Sequence, residues 1–171
     1  MSEGFTDVAL GIVTRNDRIL MVEREMRVDE FFGMVGFPGG DIESDEAPAQ
    51  GAVRIVEQET NMKVDVRRKL GDVYQRLQFP DDSHHDAHLH VYEMKLVDER
   101  PLTEYAFWTD IDRLDHLDII PSNITIFEQL YEKRDDEEAE RVASPSYVSA
   151  IRKNRLGEYV QTAFESFDQG A

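Results

Sequence analysis

Gly39-Gly-Asp-Ile-Glu-Ser-Asp-Glu46, then Ala47 to Val53, then Arg54-Ile-Val-Glu-Gln-Glu-Thr-Asn-Met62, is the stretch whose reading decides the fold. A glycine pair ends a strand-like segment, and an acidic loop leads into helical spacing over Ser44 to Thr60. Ser44 or Asp45 can cap that helix, and Pro48 is tolerated in its first turn. Glycines at such a junction let backbone N–H groups come close to a phosphate. At about 100° per residue, Ile55, Gln58 and Glu59 share one face, beside a core stripe of Ala49, Ala52, Val53 and Val56. Side chains at i, i+3 and i+4 can converge on a single ion. Three carboxylates there would suit Mg²⁺, which prefers hard oxygen ligands. Only Glu59 is a carboxylate.

The stretch resembles the signature of the Nudix hydrolase family: Gly, five residues, Glu, seven residues, Arg-Glu, an aliphatic, any residue, Glu-Glu, any residue, Gly, an aliphatic. Gly40, Glu46, Arg54, Val56, Glu59 and Met62 match at the required spacing, and Phe37-Pro-Gly-Gly40 resembles the usual lead-in. Gly51-Ala52 fits the small residues that often precede the arginine. Trp108-Thr-Asp-Ile-Asp-Arg-Leu114 is similar to the segment that often precedes the last helix. Three positions depart: Ile55 and Gln58 stand where the family has metal-binding glutamates, and Asn61 replaces the late glycine. Asn tolerates the left-handed backbone of a helix end, so that change is mild.

The resemblance implies an α+β fold, a Nudix-type α/β/α sandwich with a mixed sheet, over Phe5 to about Glu132. It implies a metal-dependent hydrolase of a nucleoside diphosphate linked to another moiety, with Mg²⁺ or Mn²⁺ as cofactor and a nucleotide-type small molecule as substrate. In that reading Glu59 is the surviving metal ligand and a catalytic residue, Gln58 offers one neutral oxygen, and Glu43 is a substitute ligand. Glu46 and Arg54 organise the loop, while Phe37, Gly39, Gly40 and Arg76 contact substrate. Metal affinity falls with ligand charge, so the metal site is expected to be weakened or rearranged. The alternative is a non-hydrolytic nucleotide-binding or regulatory protein of the same fold.

Other residues carry weaker signals. His88 and His90 share a strand face at spacing two, which suits either a transition metal or half-buried strand positions. His84 or His85 could serve as a general base or contact phosphate if their loop folds over the site. Glu93 and Glu104 are further acids outside the helix, and Glu57 is expected to face solvent. Arg67, Arg68, Lys69 and Arg76 form a local basic patch that offsets surrounding acids or holds a phosphate.

The remaining chain reads as strands Phe5 to Thr14 and Ile19 to Val22 in a hairpin, strand-like segments from Val64 to Phe79, an alternating run from His88 to Val97, a short strand Tyr105 to Trp108, and a helix opened by Pro121. These make a Nudix-like domain over 1–132. An acidic linker or helix end follows over 133–145. Val148, Ile151, Leu156, Tyr159, Val160, Ala163, Phe164 and Phe167 predict a C-terminal amphipathic helix within 146–171, docked on the domain or at a homodimer contact.

The 171 residues include 36 acidic and 19 basic, the latter 14 Arg and 5 Lys, for a formal net charge of −17. Such a charge repels nucleic-acid phosphates and anionic membrane surfaces, so neither is expected as a partner. The absence of Cys excludes disulfides and a thiolate nucleophile. No apolar run approaches a membrane span, and the first residues lack the pattern of a signal peptide, so the expected location is cytoplasmic. The acidic excess fits either an ordinary solvated surface or adaptation to high salt.

Overall fold

The apolar N-terminal run forms β1 (Phe5–Arg15) and reverses at Asn16, at φ 57°, into β2 (Arg18–Glu23). Asn is one of the few residues that takes this left-handed backbone cheaply. The structure, a computed structural model, describes residues 4–24, 30–132 and 145–166. In chain order there follow β3 (Val35–Gly36), β4 (Gly39–Asp41), α1 (Pro48–Thr60), β5 (Lys63–Gln78), β6 (His84–Asp98) and β7 (Ala106–Asp110). A 3₁₀ turn (Ile111–His116) leads to α2 (Pro121–Ile126), which continues as a π-helical turn (Phe127–Glu132). The last elements are β8 (Ser146–Lys153) and β9 (Tyr159–Ser166).

The sheet is mixed. Parallel β1 and β6 lie at its centre, β4 pairs antiparallel with β1, and β5 pairs antiparallel with β6. β8 runs parallel to β5 and β9 closes the edge. The end of β1 joins β2, which carries β3 and β7 on its two sides.

Period-two alternation sorts the strands' side chains between two layers. Ala9, Val13, Tyr92 and Met94 pack under α1 with Ala52, Ile55 and Val56. Leu10, Ile12, Leu89 and Val91 pack on the opposite face with Ile126, Phe127 and Leu130. The result is the expected α/β/α sandwich. Gly11 sits at the closest approach of helix and sheet, where a Cβ would lie 2.5 Å from Val56 Cγ2.

Three expectations need correction. The helix starts at Pro48, not Ser44. Its N-cap is Ala47, whose N–H is accepted by the Gln50 side chain at 3.2 Å, because the residues before it are held in a loop by Glu46. Ile55 is 4% exposed and belongs to the core stripe of α1 rather than beside it. The C-terminal helix is instead the β8–β9 hairpin, turning at Gly157 with φ 85°. Only Ser149 and Ile151 of β8 are buried, a period of two, while Val148, Leu156 and Val160 of the supposed helical stripe are exposed. β8 is held by seven residue pairings to β5, an attachment a helix could not make. The acidic run over 133–144 and Phe167 lie outside the described residues.

Candidate active-site cleft

α1 ends at Asn61, whose φ of 67° is the left-handed cap foreseen for it. Two residues earlier, Glu59 reaches the start of β4. Its carboxylate accepts the Gly39 N–H at 2.7 Å and pairs with the Arg24 guanidinium at 3.1 Å. Arg24 also donates to the Gly39 carbonyl at 3.2 Å. The glycine pair, the last turn of α1 and the end of β2 are thereby tied at one point.

The loop before α1 is fixed by Arg54. Its Nε and Nη2 donate to the two carboxylate oxygens of Glu46 at 2.7 and 2.8 Å, a bidentate pair. Nη2 also donates to the Asp41 carbonyl at 3.1 Å, and Nη1 to Gln58 Oε1 at 3.0 Å. The Arg54 fork holds the Glu46 carboxyl down at about 2, with help from the Glu43 N–H. Gly51 makes room for the pair, since a Cβ there would stand 2.8 Å from Glu46 Oε1.

A cavity of about 410 Å³ opens beside Glu59. One part of its wall is apolar, with Leu10, Phe31, Leu89 and Ile120, and the other is polar, with Arg24, Glu30, Asp41, Glu59 and His85. Asn123 and Ser122, at the start of α2, line it too. Asn123 Oδ1 accepts the Phe37 N–H at 2.9 Å, while the Ser122 hydroxyl is buried with no hydrogen-bond partner. His85 pairs with Glu30 at 2.7 Å and with Thr6 Oγ1 at 3.0 Å. Phe31 holds a left-handed backbone, φ 63°, while its N–H donates to the Tyr159 hydroxyl at 3.2 Å. The C-terminal hairpin thus supports the cleft wall.

Of the residues singled out in the sequence, Gly39, Gly40, Glu59 and His85 line this cleft. Phe37 does not: it is 1% exposed and packs near Phe127 in the core. Arg76 is exposed and bound to Asp86 by two hydrogen bonds at 2.8 and 3.0 Å. Glu43 is exposed in the loop, and Gln58 is turned to Arg54. Glu93 pairs with Arg68 at 2.7 Å, and Glu57 accepts the Val64 N–H rather than facing solvent. Arg67, Arg68, Lys69 and Arg76 all pair with acids. Arg24, Phe31, Ser122 and Asn123 were not foreseen. They reach the cleft only through tertiary packing, and no local pattern marks them.

A NUDIX domain family model matches residues 5–141. The chain belongs to the NUDIX family. Its fold is shared with a MutT protein from Bacillus halodurans, at 15% identity and TM-score 0.64, covering 95% of this chain and 97% of that one. A MutT protein from Methanosarcina mazei Go1 aligns at 17% identity and TM-score 0.61, over 78% of this chain and 99% of that one. The NUDIX domain of Shewanella oneidensis NrtR, in complex with ADP ribose, aligns at 18% identity and TM-score 0.60, over 77% and 90%. No curated protein matches the sequence.

NUDIX enzymes generally use a divalent metal, and the helix that would bind it does not fit that task here. Ile55 is buried and apolar, Gln58 is a neutral amide engaged by Arg54, and the Glu59 carboxylate already faces a guanidinium. A hard dication needs several anionic oxygens, and this helix offers one that is charge-neutralised. Among the described residues no helix is long and apolar enough to cross a membrane.

Proposed function

We propose that the cleft binds a nucleoside diphosphate joined to a second moiety, and that it cleaves the pyrophosphate link slowly. The observation that carries this reading is the Arg24–Glu59–Gly39 junction, which stands where the family's cluster of carboxylates would be. The apolar wall of Leu10, Phe31, Leu89 and Ile120 suits a base, with Asn123 and Ser122 near its edges. Arg24 is a cation on the polar side, placed to trade Glu59 for a phosphate oxygen. Glu46 and Arg54 act as positioning residues that fix the loop. The ADP ribose held by the NrtR domain supports a ligand of this class.

The hydrolase reading keeps one specific support, the His85–Glu30 pair on the same wall. A histidine oriented by a carboxylate can accept a proton from water.

The two readings separate in one assay set. Binding of ADP-ribose is measured by calorimetry, and its cleavage by product release with Mg²⁺ or Mn²⁺, at low and molar salt. Micromolar binding with turnover well below about 1 s⁻¹, the low end of ordinary kcat values, is expected. Restoring the carboxylates by Ile55→Glu with Gln58→Glu should raise metal-dependent turnover at least tenfold. Gln58→Glu alone, at an exposed position, should give a smaller rise without disturbing the core. Ordinary turnover by the native protein, unchanged in Glu59→Gln and lost in His85→Gln, would replace the slow, weakened site with a hydrolase that works through His85, and binding with no turnover would leave a non-hydrolytic nucleotide-binding protein.

A further inference from the structure

On the sheet face that carries α1, beyond the helix, the strands bring together Asp7 of β1, His88 and His90 of β6, and Asp72 and Tyr74 of β5. The pairings Asp7↔His88, Tyr74↔His88 and Asp72↔His90 fix this row. The cleft uses the opposite face, through Val8, Ala87, Leu89 and Gln75. The two imidazoles stack with centroids 3.9 Å apart, and Tyr74 stacks on His88 at 4.3 Å.

Each edge of the stacked pair meets one carboxylate. On one edge, Asp72 Oδ1 lies 2.8 Å from His88 Nε2 and 3.7 Å from His90 Nδ1, and Lys69 Nζ holds Asp72 at 2.9 Å. On the other edge, Asp7 Oδ1 lies 3.0 Å from His90 Nε2 and 3.5 Å from His88 Nδ1. The hydrogen bond to Asp72 puts the His88 proton on Nε2. Its Nδ1 faces the Asp7 carboxylate at 3.5 Å without a hydrogen bond, a mismatch that a cation between them would relieve. His90 adds a second mismatch. Its ring is buried, with 9% of its side chain exposed, and Nδ1 has no hydrogen-bond partner. If His90 Nε2 gives its lone pair to a metal, the ring proton moves to Nδ1 and faces Asp72.

We infer that Asp7, His88 Nδ1 and His90 Nε2 form a binding site for a divalent transition-metal ion, zinc above all, separate from the nucleotide cleft. Ligands about 2.0–2.1 Å from a tetrahedral zinc stand about 3.3 Å from one another. The 3.0 and 3.5 Å separations from Asp7 bracket that value. Two imidazoles with one carboxylate suit zinc rather than Mg²⁺, which avoids nitrogen. Asp72 serves as the outer carboxylate that fixes the tautomer of His88 through the 2.8 Å hydrogen bond and lies 3.7 Å from His90 Nδ1. The Asp7 side chain is 51% exposed, which leaves an entry path and a fourth position for water. The ion would bridge β1 and β6, the two central parallel strands.

The test uses the full chain without a histidine tag. Calorimetric titration with Zn²⁺, and the visible spectrum of the Co²⁺ form, should give one site with Kd below about 10 µM and a tetrahedral cobalt signature. His88→Gln and Asp7→Asn should each weaken binding at least about 100-fold, and Asp72→Asn by about 10- to 100-fold. Asp7→Asn alters a half-exposed side chain, so its fold is retained and checked by circular dichroism. Glu59→Gln should leave zinc binding unchanged, which separates this site from the cleft and from the reading given to it. Absence of a saturable site, or affinity that survives in folded Asp7→Asn and His88→Gln, or is lost in Glu59→Gln, would overturn the inference.

Discussion

Arg54 makes four hydrogen bonds from three nitrogens, reaching Glu46, Asp41 and Gln58. The most consequential is the fork to Glu46, whose carboxyl is held at about 2 against an ordinary 4.5. A carboxyl whose folded-state pKa is depressed stabilises the fold above its unfolded value and loses that contribution as pH falls through the folded one. The Glu46–Arg54 pair is therefore expected to act fully above about pH 4.5 and to fail progressively toward about pH 2. Arg54→Gln should return the Glu46 titration toward 4.5, read by NMR of the side-chain carboxyl carbon. Arg54→Lys should give an intermediate value, because lysine keeps the charge but not the fork. A Glu46 titration unchanged in Arg54→Gln would remove the pair as its cause. This pair was legible in the sequence, because the signature fixes both the residue types and their spacing of eight. Arg24 was not, although it now neutralises the one carboxylate that survives. It lies 35 residues from Glu59 in a different element, and only the fold brings them together.

Helix α1 is the element whose placement organises the cleft, and its seat on the sheet depends on Gly11. A methyl group there would press into Val56, itself wholly buried in the helix's core face. Gly11→Ala should therefore destabilise the protein by about 1–3 kcal/mol through overpacking, measured by urea unfolding. It should also weaken ADP-ribose binding, because Glu59 lies on the same helix. An unchanged midpoint would mean that α1 shifts freely on the sheet. The sequence carried this helix and the strands around it through their apolar periods, although the alternation of His88 to Val97 separated its two faces only in part. It misled at the C-terminus, where apolar residues happened to fall at helical spacing. The better signal there was residue type: Tyr147, Val148, Ile151, Tyr159, Val160 and Phe164 favour strands, and Asn154 to Gly157 favours a turn. The helical reading also failed at Ile55. A helix beside a sheet buries a wider stripe than its strongest core positions suggest, and Ile55 fell inside it.

For the molecule as a whole, the net charge of −17 acts against compaction. The acids do not gather into a metal centre on α1, where two of the three converging positions are uncharged. Many instead lie on the outer surface, some in exposed pairs such as Arg18–Asp110, Arg100–Asp98 and Arg113–Asp110. Exposed pairs of this kind contribute little, and salt weakens them further. The repulsion among the unpaired acids is screened by the same salt, over a Debye length of about 10 Å at 0.1 M and about 3 Å at 1 M. With 17 more acids than bases, relief of repulsion should exceed the loss of attraction. Thermal unfolding should therefore move to higher temperature as KCl rises from about 0.1 to about 1 M. NaCl should match KCl over this range if screening alone acts, since charge screening does not distinguish the two cations. A flat response would show that the acids are spaced widely enough for water alone to separate them, and would remove the high-salt reading of the composition.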